Sequence, residues 1–243
     1  MTDDGQGLGA FNAATGRGLE SDHGKPRYLK YQRELIRPHC GRSVLEVGAG
    51  LGEFADGFTG ADRYVATDVD PGAVQSMKER FADRHEIEVQ QFDIDGQSTL
   101  AEPVDTLIAI NVLEHIEDDT DALRRLSDSI RPGGNIVLFV PGYQQLYGEF
   151  DRKVGHFRRY TPGTVTEAAE AAGLSVRLAR PVNFLGAFAW WAAVRKGGAG
   201  APNRKLVAIY DRLVVPVTKA VEKVVRVPFG QSVLCVARKP DGA

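Results

Sequence analysis

The stretch RSVLEVGAGLGEFADGF, Arg42–Phe58, decides the fold. A short apolar run suited to a strand ends in a turn carrying Gly48, Gly50 and Gly52, and a helical pattern starts directly after it. Glycine accepts positive φ and lets a ligand approach the backbone closely, while a helix start leaves backbone N–H groups free. A strand–glycine turn–helix unit of this kind points to a Rossmann-like cofactor site, and the spacing narrows it. The dinucleotide fingerprint G-x-G-x-x-G would place a glycine at position 53. Glu53 stands there instead, and an acid beside two phosphates is repulsive. Glu46, inside the strand before the turn, also argues against a diphosphate ligand.

The same alternation continues along the chain. RYVATDVDPGAVQSMKERF repeats strand then helix, with Asp70 as N-cap and Pro71 at the first helical position, where no N–H is needed. EIEVQQFDI reads as a third strand, and VDTLIAINVLEHI as a fourth whose near-continuous apolar run fits burial on both faces. A helix over about 119–130 ends at RPGG, NIVLFVPG is a fifth strand, and PGTVTEAAEAAG is a helix. LSVRLARPV and QSVLCVARK supply two last strands, and KPRYLKYQRELIRPHC is a helix before the first. The expected fold is α/β, a doubly wound, Rossmann-like, mostly parallel seven-stranded sheet. A connection of nearly fifty residues, about 183–230, reads as a helical cap inserted before the last strand.

Composition excludes several classes. The 243 residues are 43% hydrophobic and 26% charged with a formal net charge of −2, which gives no electrostatic footprint for nucleic acid. Cys40 and Cys235 lie in unrelated contexts, so neither a disulfide framework nor a structural zinc is expected. Residues 1–24 are polar and glycine-rich and read as a flexible segment rather than a signal peptide, with one domain over 25–243. The longest apolar stretch, VNFLGAFAWWAAV, is too short to span a bilayer, and the default compartment is cytoplasmic.

VLEVGAGLGEF resembles the first motif, E-x-G-x-G-x-G, of the class I S-adenosylmethionine-dependent methyltransferases. Further stations match over about residues 25–182 and the final strand. The resemblance implies that Asp68, ending ATD, takes the ribose hydroxyls, and that Asp93, in QQFDI, meets the adenine amino group. It places Asn111, Val112 and Leu113, in INVLEHI, near the donor's methionine part, and Glu46 near its amino group or the glycine-loop amides. Asp70 rivals Asp68 but reads as a cap, and Asp95 rivals Asp93 but precedes Gly96 as turn acids do. Glu114 and His115 read as helix-start residues covering the end of the sheet. The implied donor is S-adenosyl-L-methionine, with S-adenosyl-L-homocysteine as product. No metal is expected, because the acids of NVLEHIEDD read as a helix start.

EFDRKVGHFRRYT, Glu149–Thr161, follows the fifth strand at the carboxyl edge of the sheet, where ligands sit in such folds. It resembles a subgroup of the same methyltransferases with a D-x-x-x-G-H-x-R-R-Y-T segment, which implies a natural-product, sugar or lipid-linked acceptor. His156 is the candidate base, with Asp151 to orient it. Arg158 and Arg159 are candidates for a phosphate or carboxylate on the acceptor, with Tyr143, Tyr147 and Tyr160 walling the pocket. The bland alternatives are a loop-docking histidine and arginines paired to nearby acids. A base favours O-methylation over N- or C-methylation. A nicotinamide-dependent enzyme and a donor-binding scaffold for a glycosyltransferase remain as alternatives. The aromatic cap, with Phe184, Leu185, Phe188, Trp190 and Trp191, suits internal packing or a homodimer, an acceptor lid, or a membrane surface.

Overall fold

The computed structural model describes residues 24–96, 100–197 and 204–242. The segment expected to be flexible, 1–24, lies outside the described residues except for Gly24, as does most of GGAGAPN in the cap. Seven strands form one sheet: β1 Ser43–Val47, β2 Arg63–Asp68, β3 Ile87–Gln91, β4 Val104–Ile110, β5 Ile130–Pro141, β6 Ser175–Val182 and β7 Ser232–Arg238. Their order is β3-β2-β1-β4-β5-β7-β6. All pairings are parallel except those of β7, which runs antiparallel to both β5 and β6. The strand order therefore reverses between β1 and β4, which opens a crevice at their carboxyl ends.

Helices cover both faces. Leu45 and Val47 of β1 and Leu107 and Ala109 of β4 face a core closed by α4, Asp119–Asp128, and α6, Pro162–Ala171. Val44 and Ile108 face the other core, closed by α1 (Pro26–Ile36), α2 (Glu53–Asp56) and α3 (Pro71–Arg80). Burial on alternating sides explains why β4 reads as a continuous apolar run rather than a half-polar one. Asp70 caps α3 as expected, accepting from the N–H groups of Gly72 and Ala73.

Two local readings differ. α4 stops at Asp128, and RPGG lies inside β5, beside an irregularity in the β4–β5 register. Gly133, at φ +77°, makes that kink possible without ending the strand. EFDRKV, expected only as part of a loop, forms a short helix, α5, Glu149–Val154, closed by Gly155 at φ +85°.

The cap consists of α7, Phe184–Gly197, then α8, Arg204–Ile209, a π-turn over Tyr210–Val214, and α9, Val215–Val224. Pro216 has no N–H to return to the preceding turn, and the wider π-turn absorbs that mismatch. The cap is pinned by a buried network. Asn183, at φ +60°, donates from its side chain to Tyr210 and Gln231, and its N–H donates to the Tyr31 hydroxyl at 2.9 Å. Tyr31 in turn donates to Glu222, which also accepts from the Phe184 N–H.

Candidate active site

The glycine turn is built on three left-handed residues, with φ of +71° at Gly48, +59° at Gly50 and +76° at Gly52. Two of them are also sterically required. A β-carbon on Gly48 would lie 2.5 Å from Val112, and one on Gly52 would lie 2.6 Å from the Phe81 ring. A β-carbon on Gly50 would meet nothing within 4 Å, so the backbone there faces open space. Asp68, at the end of β2, accepts the Gly50 N–H at 2.9 Å on one oxygen and the Asp70 N–H at 2.9 Å on the other. Asp93 lies half-buried beyond β3 and accepts from the Asp95 N–H, an Asx turn that leaves Asp95 pointing out. A cavity of about 520 Å³ includes Phe92, Asp93 and Arg125 but no part of the glycine turn, so it is not the groove expected from the motif.

Glu46 is buried and accepts from the Tyr64 hydroxyl at 2.7 Å. Burial pushes its carboxyl up to about 7, against the Tyr64 hydrogen bond and the nearby Arg33. It therefore sits under α1, sharing its face with Val44, and is tied to Tyr64. Asn111 follows β4 directly, at φ +51°, and Val112 lies against the glycine turn. Leu113–His115 then form a single 3₁₀ turn, not the start of a longer helix.

That turn meets the His-Arg-Arg segment. The Phe157 N–H donates to the Glu114 carbonyl at 2.8 Å, and the Tyr160 N–H to the Pro141 carbonyl at 2.8 Å. The segment is thereby laced to the ends of β4 and β5. His156 Nδ1 lies 2.9 Å from Asp151 Oδ1, and its Nε2 lies 3.9 Å from Glu114 Oε1. The His115 and His156 rings stand edge to face at 4.6 Å. Burial raises the Asp151 carboxyl, but hydrogen bonds from His156, Arg159 and the Gly148 N–H outweigh it and leave the group below its ordinary value. An ionised Asp151 makes Nδ1 the donor and directs the Nε2 lone pair of a neutral ring away from it.

The expected acceptor roles of Arg159 and Tyr160 need revision. Arg159 is 3% exposed at its side chain, pairs with Asp151 at 2.8 Å and lies over the Trp190 ring at 5.1 Å. Tyr160 is buried, and its hydroxyl donates to Asp119 at 2.9 Å. Arg158 is partly exposed but pairs with the same Asp119 at 2.7 Å and donates to the Glu117 carbonyl. Tyr147 donates to the His156 carbonyl, and Tyr143, at φ +63°, to the Pro228 carbonyl. Both tyrosines are half-buried. Sequence reasoning missed Glu114 and His115 as neighbours of His156. One ligand-type atom from each of the three lies within 4.8 Å of the others. Their adjacency in LEH was visible, but their approach to His156, forty residues on, was not.

Residues 22–179 match a family described as the methyltransferase domain. The chain belongs to that family. Its methyltransferase fold is also that of a chain from the complex between the Haloferax volcanii Trm112 methyltransferase activator and a methyltransferase. That likeness has a TM-score of 0.63 at 18% identity, over 94% of this chain and 96% of the other. The N-methyltransferase NodS from Bradyrhizobium japonicum, solved with S-adenosyl-L-homocysteine, gives a TM-score of 0.57 at 17% identity, over 92% and 91%. At these identities the likeness is one of fold. A Mycolicibacterium smegmatis protein named a probable S-adenosylmethionine-dependent methyltransferase is 28% identical over 60% of this methyltransferase chain and 56% of its own length. A polyketide synthase-nonribosomal peptide synthetase from Aspergillus clavatus matches 48% of this chain at 29% identity, over 3% of its own length. The chain thus spans from a few per cent to about half the length of these two curated relatives.

Proposed function

We propose that this methyltransferase takes the methyl group of S-adenosyl-L-methionine and places it on an oxygen of a small-molecule acceptor. The residues present fit the donor. Gly50 leaves space where a side chain would stand, and the Asp68 carboxylate borders the same turn, with oxygens that each accept more than one hydrogen bond. Bound there, the donor supplies a methyl group already activated by its sulfonium. The protein's part is alignment, exclusion of water and handling of one proton. In this reading Asp68 takes the ribose, Asp93 the adenine, and Asn111, Val112 and Leu113 line the methionine end. Glu46 acts indirectly, through the strand pair that carries the turn.

The observation that carries the acceptor chemistry is the 2.9 Å contact between His156 and Asp151. Asp151 holds Nδ1–H, Arg159 holds Asp151, and His156 Nε2 would take the acceptor's hydroxyl proton as that oxygen gains the methyl group and the donor's methyl–sulfur bond breaks, leaving S-adenosyl-L-homocysteine. Tyr143, Tyr147 and the outer edge of Arg158 wall the acceptor side. No metal is required by this scheme. The test is transfer of labelled methyl from the donor to a panel of hydroxylated and amine acceptors, with and without a chelator. Turnover on hydroxyl acceptors that falls in His156→Ala, with donor affinity intact, supports the reading. Turnover lost to the chelator and restored by a divalent cation would mean that Glu114, His115 and His156 hold a metal instead.

A further inference from the structure

The two helical segments that close the cap carry an arrangement that transfer chemistry does not use. Between Arg204 and Arg226 the chain has six basic residues and two acids, Asp211 and Glu222. Both acids are turned into the protein. Asp211 is 3% exposed and accepts from the N–H groups of Arg27 and Tyr28, which begin α1. Glu222 accepts from Tyr31 and Phe184. Among the basic residues, Lys205, Arg212, Lys223 and Arg226 are exposed, and the half-buried Lys219 pairs with Glu34 on α1.

The outward surface between those cations is apolar. Leu206, Ile209, Leu213, Val217 and Val224 recur at spacings of three, four, four and seven, which places them on one stripe. All five are more than half exposed, Leu213 at 64% and Val224 at 83%. A helix that faced only water would carry charged or polar residues in that stripe, and a run of large exposed aliphatics marks a surface that is covered in use. The cations discriminate between coverings. A second copy meeting this face by two-fold symmetry would set Arg212 and Lys223 against the same cationic face, because both acids of the stretch turn inward. An anionic lipid surface offers the stripe an apolar interior and the cations phosphate groups at the right depth.

We infer that the outward face of α8–α9 docks this chain, in plane, on an anionic phospholipid bilayer. No helix among the described residues is long and apolar enough to cross a membrane, so the contact is peripheral. The inference goes beyond the transfer reaction and does not depend on it.

The test is flotation of the full chain with vesicles of phosphatidylcholine alone and with about one-third phosphatidylglycerol, at low and high salt. Wild type should float with the anionic vesicles, release as salt rises, and bind neutral vesicles at least about tenfold less. Leu213→Glu with Val217→Glu should abolish flotation, and Arg212→Glu with Lys223→Glu should remove its dependence on anionic lipid. These positions are exposed, so unchanged thermal midpoints check that each variant folds. Absence of flotation in wild type, or equal flotation of the Leu213→Glu/Val217→Glu chain, would overturn the inference. So would sedimentation showing a wild-type dimer that Leu213→Glu dissociates while neither binds lipid.

Discussion

The backbone N–H of Gly50 donates to Asp68 at 2.9 Å, so the glycine turn after β1 and the acid ending β2 form one hydrogen-bonded unit. In the proposed reading this couples donor recognition to turn geometry, and substitutions at Gly50 and Gly52 separate the two.

Gly50→Ala should fold and fail to bind. Its β-carbon meets no protein atom within 4 Å, so the folded-state cost is that of a left-handed alanine, about 1–2 kcal/mol. Gly52→Ala adds a clash with Phe81 at 2.6 Å and crowding of Met77, roughly 1–3 kcal/mol more. Denaturant unfolding beside S-adenosyl-L-homocysteine binding checks the contrast. A Gly50→Ala chain that binds normally would mean that the open space above the turn is not the donor's.

Asp151→Ala should destabilise the chain far more than His156→Ala. Removing the carboxylate leaves the Arg159 guanidinium buried beside Trp190 with its partner gone, a loss of about 3–5 kcal/mol. Removing the imidazole leaves the Asp151–Arg159 pair standing. Equal midpoints for the two variants would show that the pair does not hold this segment.

Glu46 gives the unliganded protein a defined pH dependence. Its folded carboxyl titrates near 7 against an ordinary 4.5, so the folded state binds the extra proton. That contribution is complete below about 4.5, declines as pH rises through 7, and is flat beyond. Its ceiling is about 3 kcal/mol, from about 1.4 kcal/mol per pH unit. Glu46→Gln should remove the slope between pH 5 and 8, measured by urea unfolding, and an unchanged slope would assign it elsewhere.

Tyr31→Phe should loosen the cap. Burial and the Glu222 charge keep the hydroxyl protonated, so it donates to Glu222 while accepting from Asn183. Losing it strands one buried donor and weakens one acceptor, at roughly 1–3 kcal/mol. Faster proteolysis within the cap, with the glycine-turn site still binding, is the expected sign.

Much of this was readable in the chain because the signals are local. The glycine turn, the Asp70 cap and the double-faced β4 each declare themselves within a dozen residues. The RPGG kink misled because a glycine pair marks a bulge as readily as a helix end. The His-Arg-Arg segment was legible in position but not in role. Arg158 and Tyr160 converge on Asp119, and Arg159 on Asp151, and only the folded sheet edges bring those partners into reach. The inward turn of Asp211 and Glu222 was equally invisible, since both look like ordinary surface acids in sequence.

The most direct test of the account is calorimetric titration of S-adenosyl-L-homocysteine into the wild-type chain and Asp68→Ala, with NADH as control. Wild type should bind S-adenosyl-L-homocysteine and not NADH, and Asp68→Ala should bind it roughly ten- to a hundredfold more weakly through loss of hydrogen bonds to a charged acceptor. Binding of NADH, or equal affinity in the two chains, would contradict it.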